Sequence, residues 1–221
     1  MKPRARGASL GAEPRSPALA GIAAALAAFG VFAAVAVAAL RFGAFATLDE
    51  QVAAALGRHA SPALTAFMAG VSAWHAPHAI VALMVVAALV LLLRRNRAGA
   101  LLLVGAVLGG ATLNHLLKQT IRRPRPGLEH LLAATTDYSF PSGHVANATL
   151  LYGALAALVV QHAAPRPLRW AGVACAALLV ALAGCSRLVL EAHRLSDVLA
   201  ALPVGLGWLA LCLGAAAALR R

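Results

Sequence analysis

Charged side chains are scarce in this 221-residue chain: Asp, Glu, Lys and Arg make up 12% of it, and 62% of the residues are hydrophobic. A soluble domain of this length normally carries about twice that charged fraction. The scarcity excludes an ordinary soluble domain and indicates an integral membrane protein.

Acidic residues and cysteines are also few. Seven Asp and Glu stand against nineteen Lys and Arg, which gives a formal net charge of +12. The basic residues lie in short clusters between apolar runs and not along one solvent face, which argues against nucleic acid as a partner. Cys175, Cys185 and Cys212 lie inside apolar runs without the spacing of a metal site. We interpret them as small buried hydrophobic residues.

The apolar residues are gathered into six runs, at 18–40, 62–93, 98–117, 143–164, 168–190 and 198–219. The first run has 23 residues, enough to cross a bilayer at about 1.5 Å per residue and longer than the core of a signal peptide. We interpret it as an uncleaved span, although its Ala-x-Ala triplets keep cleavage open as an alternative. The sequence predicts an all-α polytopic membrane helix bundle with six transmembrane spans.

Two histidines and a proline interrupt the second run. The alternative is a short re-entrant or interfacial helix at 62–74, followed by a span at about 76–93. We interpret His75 and His78 as interfacial polar residues. The mixed-charge segment 48–62 has a helical pattern and is predicted to lie at the membrane surface.

Six spans place both chain ends and the turns near 94–97 and 165–169 on one side of the membrane. That side carries eleven of the nineteen basic residues against a single acid, Glu13. The positive-inside rule makes it the cytoplasmic side. We therefore divide the chain into a cytoplasmic basic segment, 1–17, and a six-span domain, 18–221.

The opposite face carries eight basic residues and six of the seven acids. Basic residues kept there help membrane insertion least, so they need another reason to be present. Three motifs lie on this face: "KQTIRRPRP" at 118–126, "PSGH" at 141–144 and "SRLVLEAHRLSD" at 186–197.

The topology brings these motifs together, because the end of span three, the start of span four and the junction of spans five and six share a membrane face. Basic side chains, two histidines, a carboxylate and a helix N-terminus then surround one shallow pocket. Phosphoryl transfer needs such a set: cations for the phosphoryl oxygens, a nucleophile, a proton donor and a group that orients the nucleophile.

Taken together, the motifs resemble the three-part signature of the type 2 phosphatidic acid phosphatase (PAP2) superfamily. That superfamily includes membrane lipid phosphatases, soluble acid phosphatases and vanadium haloperoxidases. The motifs cover about eighty residues, and the six-span layout extends the similarity over nearly the whole chain. The matching positions are Lys118-x6-Arg125-Pro126, Pro141-Ser142-Gly143-His144 and Ser186-Arg187-x5-His193-x3-Asp197.

The resemblance implies catalytic roles for three residues. His193 would be the nucleophile that forms a phosphohistidine. Asp197 would hydrogen-bond the other ring nitrogen of His193 and stabilise the imidazolium. His144 would be the general acid that protonates the leaving oxygen.

The resemblance also assigns the phosphate contacts. Lys118, Arg125 and Arg187 would clamp the phosphoryl oxygens, the arginines through their bidentate forks. Ser142 and Gly143 would add a hydroxyl and backbone N–H groups at the positive end of span four. No metal and no other cofactor is implied, because these groups already balance the phosphate charge.

Three further residues lie in or near the first motif but outside the signature positions. Arg122 and Arg123 lie outside the signature positions, and we interpret them as facing lipid headgroups. Asn114 lies one turn before the signature lysine, where it either orients that lysine or packs between helices.

The chain departs from the usual pattern in the third motif. Family members often have Gly two residues before the nucleophile and an aromatic-Pro pair after it, where this chain has Glu191 and Arg194-Leu195. Glu191 either pairs with a neighbouring arginine or raises the pKa of the nucleophile. The departure bears on substrate preference and pH optimum more than on the reaction.

The resemblance implies a multi-pass, metal-independent lipid phosphatase in a plasma membrane of bacterial type, with its active site facing the periplasm or exterior. The substrate would be a lipid phosphomonoester or diphosphate that approaches sideways between helices. Undecaprenyl diphosphate suits that orientation, while phosphatidate and phosphatidylglycerophosphate remain open.

Two other activities remain as alternatives. One is a non-enzymatic lipid or anion transporter, which is disfavoured because transporters bury ionisable residues near mid-membrane. The other is a phosphotransferase that uses the same pocket. Haloperoxidase activity is disfavoured because the relatives with that activity are soluble.

Overall fold

The computed structural model describes residues 16–126, 138–162 and 165–219. Within those ranges there are helices and no strands, so the all-α prediction is confirmed. Of the predicted basic segment 1–17, residues 1–15 lie outside the described residues. The helices are α1 Pro17–Leu40, α2 Ala46–His59, α3 Pro62–Trp74, α4 Pro77–Leu93, α5 Arg97–Ile121, α6 Gly143–His162, α7 Arg166–Val189 and α8 Leu195–Ala218.

Local sequence explains several helix boundaries. Proline stands in the first turn of α1, α3, α4 and α7, where its missing N–H leaves no hydrogen bond unmade. Ser61 caps α3 by accepting from Leu64 N–H at 3.2 Å, and Asn96 caps α5 by accepting from Gly99 N–H at 2.8 Å. These caps satisfy N–H groups that a helix start leaves without partners.

Five of the helices, α1, α5, α6, α7 and α8, are long and apolar enough to cross a membrane. The pair α3 and α4 is bent by 51° at a short break and adds a sixth span if it is taken as one. The second apolar run is therefore divided into two helices, as the alternative of a short helix at 62–74 and a span at about 76–93 predicts. The mixed-charge segment before it forms α2, which packs on α7 and α8.

His75 occupies the break between α3 and α4 and is almost completely buried. Its Nδ1 lies 2.7 Å from Val71 O, and its Nε2 lies 3.2 Å from the Tyr152 hydroxyl on α6. The interfacial interpretation was wrong for His75, because the bend places it against α6. His78, one turn further on, is exposed.

The helix α6 lies at the centre of the bundle and packs against α4, α5, α7 and α8. Leu150 and Leu151 on α6 are fully buried and share a core cluster with Leu103 and Val107 of α5. Within a bilayer, close packing of this kind holds helices together, because the hydrophobic effect does not act between helices that are surrounded by lipid. The start of α6, where the second motif lies, is thereby fixed by the core.

The helix α1 packs along α8, the last helix of the chain. A Cβ added at Gly21 would lie 2.8 Å from the Cα of Gly214. Two glycines thus allow the backbones of α1 and α8 to approach closely, as small residues do between membrane helices.

The helix α7 turns much of its apolar surface outward, with Leu168 and Trp170 exposed. Cys175 and Cys185 lie on this exposed surface, and Cys212 on α8 is partly buried. The prediction that the cysteines are buried was therefore wrong for Cys175 and Cys185. The apolar residues around these two cysteines in the sequence therefore belong to the outer surface of the bundle and not to its core.

Candidate active site

Hydrogen bonds tie the three motif segments together. Ser139 donates from its N–H to Arg123 O and from its hydroxyl to Pro124 O, each across 2.9 Å. Ser142 donates from its N–H to Asp197 O across 3.1 Å. The turn before α6 is thereby held against the first motif on one side and the third motif on the other, so the structure brings the motifs together as expected.

His193 lies in the turn between α7 and α8, with its side chain almost fully buried. Its Nδ1 is 3.4 Å from Asp197 Oδ2, one turn later in the sequence. Its other ring nitrogen, Nε2, is 3.5 Å from Nη1 of Arg125, which also donates to Ala192 O at 3.0 Å. The imidazole thus has a carboxylate at one nitrogen and a guanidinium at the other.

The environment of His193 favours the uncharged ring. Burial is the main cause that lowers its pKa to about 4, and the cations of Arg125 and Lys118 act in the same direction, while Asp197 opposes them. This direction is opposite to the raised pKa that a nearby Glu191 would give. At neutral pH the ring therefore keeps a lone pair that is available for attack on phosphorus.

Lys118 lies in the last turn of α5 and donates from Nζ to Tyr138 O across 2.5 Å. A Cβ added at Gly143 would lie 3.9 Å from Lys118 Cε and 3.4 Å from Asn114 Oδ1. Asn114 is buried and thus lies beside both Gly143 and the lysine stem. The first residue of α6 and the end of α5 therefore form one wall of the candidate site.

Ser142, immediately before α6, is completely buried. Among the described residues, no protein group hydrogen-bonds its Oγ, and the same holds for Asn114 Nδ2. A buried hydroxyl without a partner costs free energy unless a ligand or water completes it. Ser142 therefore has a hydroxyl to offer at the N-terminus of α6, where the helix dipole favours an anion.

Arg187, in the last turn of α7, donates from Nη1 to Ser72 Oγ on α3 across 2.5 Å. His144, in the first turn of α6, is partly buried and within electrostatic reach of Arg187, His193 and Arg125. Every site residue that the sequence predicted is therefore present in one region of the structure. No pattern in the sequence indicates that α3 reaches this region.

Arg123 does not face lipid headgroups, so that interpretation was wrong. Its side chain is 11% exposed, and its Nη1 donates to Asp197 Oδ1 at 2.6 Å and to Ser196 Oγ at 2.8 Å. Its Nη2 donates to Asp49 Oδ2 at 3.3 Å. The physical reason is that a buried carboxylate is costly unless a cation pairs with it, and Arg123 pairs with two of them. Arg122 is exposed, and its Nε donates to Gln119 O at 2.9 Å.

Glu191 has a backbone φ of +52°, in the left-handed region that side chains disfavour. Glycine adopts this conformation at little cost, which explains why relatives often carry Gly two residues before the histidine. Glu191 lines a cavity of about 580 Å³ between α2 and the turn that holds His193. The departure from the pattern therefore adds backbone strain beside this cavity.

Comparisons with known proteins agree with this geometry. A model of the PAP2 superfamily matches residues 98–221, from the start of α5 to the end of the chain, including all three motifs. The chain belongs to the PAP2 superfamily. It is 29% identical over 170 residues to phosphatidylglycerophosphatase B of Bacillus subtilis, a match that covers 76% of this chain and 83% of that protein.

A solved structure gives the same result for the fold. The crystal structure described as the first transmembrane PAP2-type phosphatidylglycerolphosphate phosphatase from Bacillus subtilis superposes with a TM-score of 0.74 and 28% sequence identity. The match covers 85% of this chain and 93% of that one. The protein is thus a membrane phosphatase of PAP2 type, similar to phosphatidylglycerophosphatases, and the transporter alternative is disfavoured further.

No group of three or more His, Cys, Asp and Glu side chains in 16–126, 138–162 and 165–219 is arranged to hold a metal ion. The site holds the cations Lys118, Arg125 and Arg187 together with the imidazoles of His144 and His193, close to Ser142 and Gly143. Such a set suits a phosphate group.

Proposed function

We propose that the protein hydrolyses a lipid phosphomonoester, with phosphatidylglycerophosphate as the first candidate, through a phosphohistidine formed on His193. The observation that carries the proposal is the uncharged, buried imidazole of His193 between Asp197 and the cations Arg125 and Lys118. The similarity to phosphatidylglycerophosphatase B supports the choice of lipid.

In the proposed complex, the phosphoryl group lies at the N-terminus of α6. Lys118, Arg125 and Arg187 bind its oxygens, and Ser142 donates from the hydroxyl that has no protein partner in the described part of the chain. Gly143 adds a backbone N–H beside Asn114 and Lys118. Preorganised donors of this kind stabilise the charge of the transferring group.

In the first step, His193 Nε2 attacks phosphorus as the bond to the lipid oxygen breaks. His144 gives its proton to that leaving oxygen, which departs as the lipid alcohol. Asp197 stays ionised and stabilises the positive charge that develops on the imidazole. The products of this step are the dephosphorylated lipid and a phosphorylated His193.

In the second step, water attacks the phosphohistidine. His144, now uncharged, takes a proton from the water, the bond between phosphorus and nitrogen breaks, and inorganic phosphate leaves. A phosphotransferase would differ only in the acceptor, with an alcohol in place of water. Phosphate release therefore distinguishes hydrolysis from transfer.

We place both chain ends in the cytoplasm and the active site on the periplasmic or outer side of the membrane, because basic residues dominate the other side. Undecaprenyl diphosphate is the second candidate substrate, since this orientation would expose the site to it. A pair of variants tests the orientation in a background without cysteine: Ala60→Cys near the site and Ala98→Cys at the opposite end, both exposed. A membrane-impermeant thiol reagent should label only the first in intact cells; labelling of only the second would reverse the assignment.

The deciding experiment measures phosphate release by purified protein from phosphatidylglycerophosphate, phosphatidate and undecaprenyl diphosphate, with a chelator present. His193→Ala should lose activity by about 10⁴-fold or more, as expected for a nucleophile that works in concert with its partners. The matched control is His59→Ala, an exposed histidine at the end of α2, which should keep full activity. Wild-type protein that is inactive on every lipid, or a fully active His193→Ala, would refute the proposal.

The intermediate can be tested separately. Denaturing the enzyme during turnover should trap a phosphate on the peptide that contains His193, stable in base and labile in acid. The label should be missing in His193→Ala and should accumulate in His144→Ala with a substrate whose leaving group needs no proton. A stable label on another residue would identify that residue, and not His193, as the nucleophile.

A further inference from the structure

We propose that Asp49 is a positioning residue of the active site, which acts through Arg123 and Ser196 on Asp197. The inference rests on the proposed function, because it assumes that Asp197 orients and stabilises His193. Asp49 lies on α2, outside residues 98–221 that the family model matches. Its hydrogen bonds are to Ser196 and Arg123, neither of which is proposed to bind phosphate.

The carboxylate of Asp49 is buried, with 4% of its side chain exposed. Its Oδ1 accepts from Ser196 N–H at 2.8 Å, and its Oδ2 accepts from the Ser196 hydroxyl at 2.6 Å and from Arg123 Nη2 at 3.3 Å. Taking a carboxylate out of water is costly unless it is paired and hydrogen-bonded. Three donors on two oxygens satisfy that condition.

Asp49 serves α8 as a cap supplied by another helix. Ser196 is the second residue of α8, where the backbone N–H has no acceptor within its own helix. The negative charge also lies near the positive end of the α8 dipole. Asp49 therefore fixes the position of the first turn of α8, the turn that carries Asp197.

Arg123 links the two carboxylates. One of its nitrogens, Nη1, donates to Asp197 Oδ1 at 2.6 Å, while Nη2 faces Asp49. The other oxygen of Asp197, Oδ2, accepts from Arg194 N–H at 2.9 Å and lies 3.4 Å from Nδ1 of His193. The orientation of Asp197 toward His193 thus depends on a guanidinium that Asp49 holds from the far side.

The negative charge of Asp49 is a second way in which this residue affects His193. Asp49, Arg123 and Asp197 together carry one net negative charge next to His193, and that charge favours the imidazolium that forms during phosphoryl transfer. Without the charge of Asp49, Arg123 would neutralise Asp197 fully. The expected loss is therefore in the chemical step, while substrate binding is retained.

The test compares kcat and KM of Asp49→Asn with those of Glu50→Gln, an acid one residue later that is exposed on the same helix. Both changes remove one negative charge with little change in volume. Loss of a group that orients a catalytic residue typically costs about 10–100-fold in activity. We expect that fall in kcat for Asp49→Asn with KM within about threefold, and no comparable change for Glu50→Gln.

A double-mutant cycle shows whether Asp49 acts through Arg123. In an Arg123→Gln background, Asp49→Asn should lower kcat by less than about threefold further, because the link is already broken. Multiplicative effects of the two changes would overturn the positioning role, as would a normal kcat in Asp49→Asn. A rise in KM equal to the fall in kcat would place Asp49 in substrate binding instead and would also overturn it.

Two provisions keep the test decisive. If Asp49→Asn does not fold, Ser196→Ala replaces it, since that change removes the hydroxyl that donates to Asp49 and accepts from Arg123; a lower kcat at unchanged KM is expected, and an unchanged kcat overturns the role. The assay uses whichever lipid phosphate the wild type hydrolyses fastest, so a wrong choice of lipid does not affect the cycle. A fully active His193→Ala would refute the proposed mechanism, whereas multiplicative effects in the cycle would overturn only the role of Asp49.

Discussion

Arg187 and Ser72 join the end of α7 to α3 through a hydrogen bond of 2.5 Å from Nη1 to Oγ. Ser72 is buried and lies in the last turn of α3, close to the break in the second apolar run. A short hydroxyl can orient a long arginine side chain, whose freedom would otherwise have to be lost when phosphate binds. The bend between α3 and α4 therefore bears on the site as well as on the span.

Ser72→Ala should weaken substrate binding. A hydrogen bond to a charged group contributes roughly 1.5–3 kcal/mol, and we expect part of this as a rise in KM of about tenfold with a smaller change in kcat. Ser72→Thr keeps a hydroxyl and should restore most of the affinity. Thr65→Ala removes an exposed α3 hydroxyl and should have no effect; equal KM values for Ser72→Ala and Thr65→Ala would contradict the role of Ser72.

Ser142→Ala should separate activity from stability. Because no group in the described part of the chain bonds Ser142 Oγ, its loss breaks no protein hydrogen bond, and the melting temperature should stay the same or rise. The value of kcat/KM should fall by about tenfold or more if Oγ donates to the phosphoryl group. The control is Ser139→Ala, whose hydroxyl donates to Pro124 O and whose loss should lower stability by about 1 kcal/mol. A large loss of stability in Ser142→Ala would show that its hydroxyl is structural.

The stability of the protein should fall as the pH drops from about 6.5 to about 4. The folded state takes up the proton of His193 only near its lowered pKa of about 4, whereas the unfolded chain takes it up near the ordinary value of 6.5. The unfolded state therefore binds more protons between these values, which favours unfolding as the pH decreases. His193→Gln, which cannot be protonated, should show a smaller slope of melting temperature with pH, while exposed His59→Gln should match the wild type. Identical slopes in all three proteins would contradict the shift.

The pH profile of activity follows from the same pKa. The groups that act on His193 are Asp197 from α8, Arg125 and Lys118 from the first motif, and His144 from α6. With the ring uncharged above about pH 4, the nucleophile should not limit kcat/KM between pH 5 and pH 8. An acidic loss in that range would belong to the substrate phosphate or to another group, and it should persist unchanged in Asp49→Asn if His193 is not its origin.

Glu191→Gly should stabilise the protein. A left-handed conformation costs a side chain roughly 1–2 kcal/mol, part of which the greater freedom of glycine in the unfolded chain cancels. The net gain of about 1 kcal/mol corresponds to about 2–4 °C in melting temperature for a chain of this size. Arg95→Gly, at a φ of +58° between α4 and α5, is the matched control far from the site and should show a similar gain. A lower melting temperature for Glu191→Gly would mean that the carboxylate makes contacts that outweigh the strain.

The sequence predicts most of the helices well because apolar runs are long and loops are short. The first span, predicted at 18–40, is Pro17–Leu40, and the fourth, predicted at 143–164, is Gly143–His162. The third and sixth spans are longer than their apolar runs, since α5 continues through Lys118 and α8 begins at Leu195. Hydropathy counts apolar residues, but a helix continues through polar residues whose backbone is still hydrogen-bonded.

The site could be predicted where residues follow one another in motifs, and not where it depends on contacts across the chain. The first motif predicts Lys118 and Arg125 as site residues. Arg123, which lies between them outside the signature positions, is predicted to face lipid headgroups. Its partner Asp49 lies 74 residues earlier, and no local pattern marks such a pair.

The contact between Gly21 and Gly214 has a consequence for biogenesis. The helix α1 is synthesised well before α8, so the groove of α1 is filled only after α8 has been inserted. Until then, lipid or an insertion factor must cover the Gly21 side of α1. A chain that stops before α8 would thus lack Asp197 and also the helix along which α1 packs.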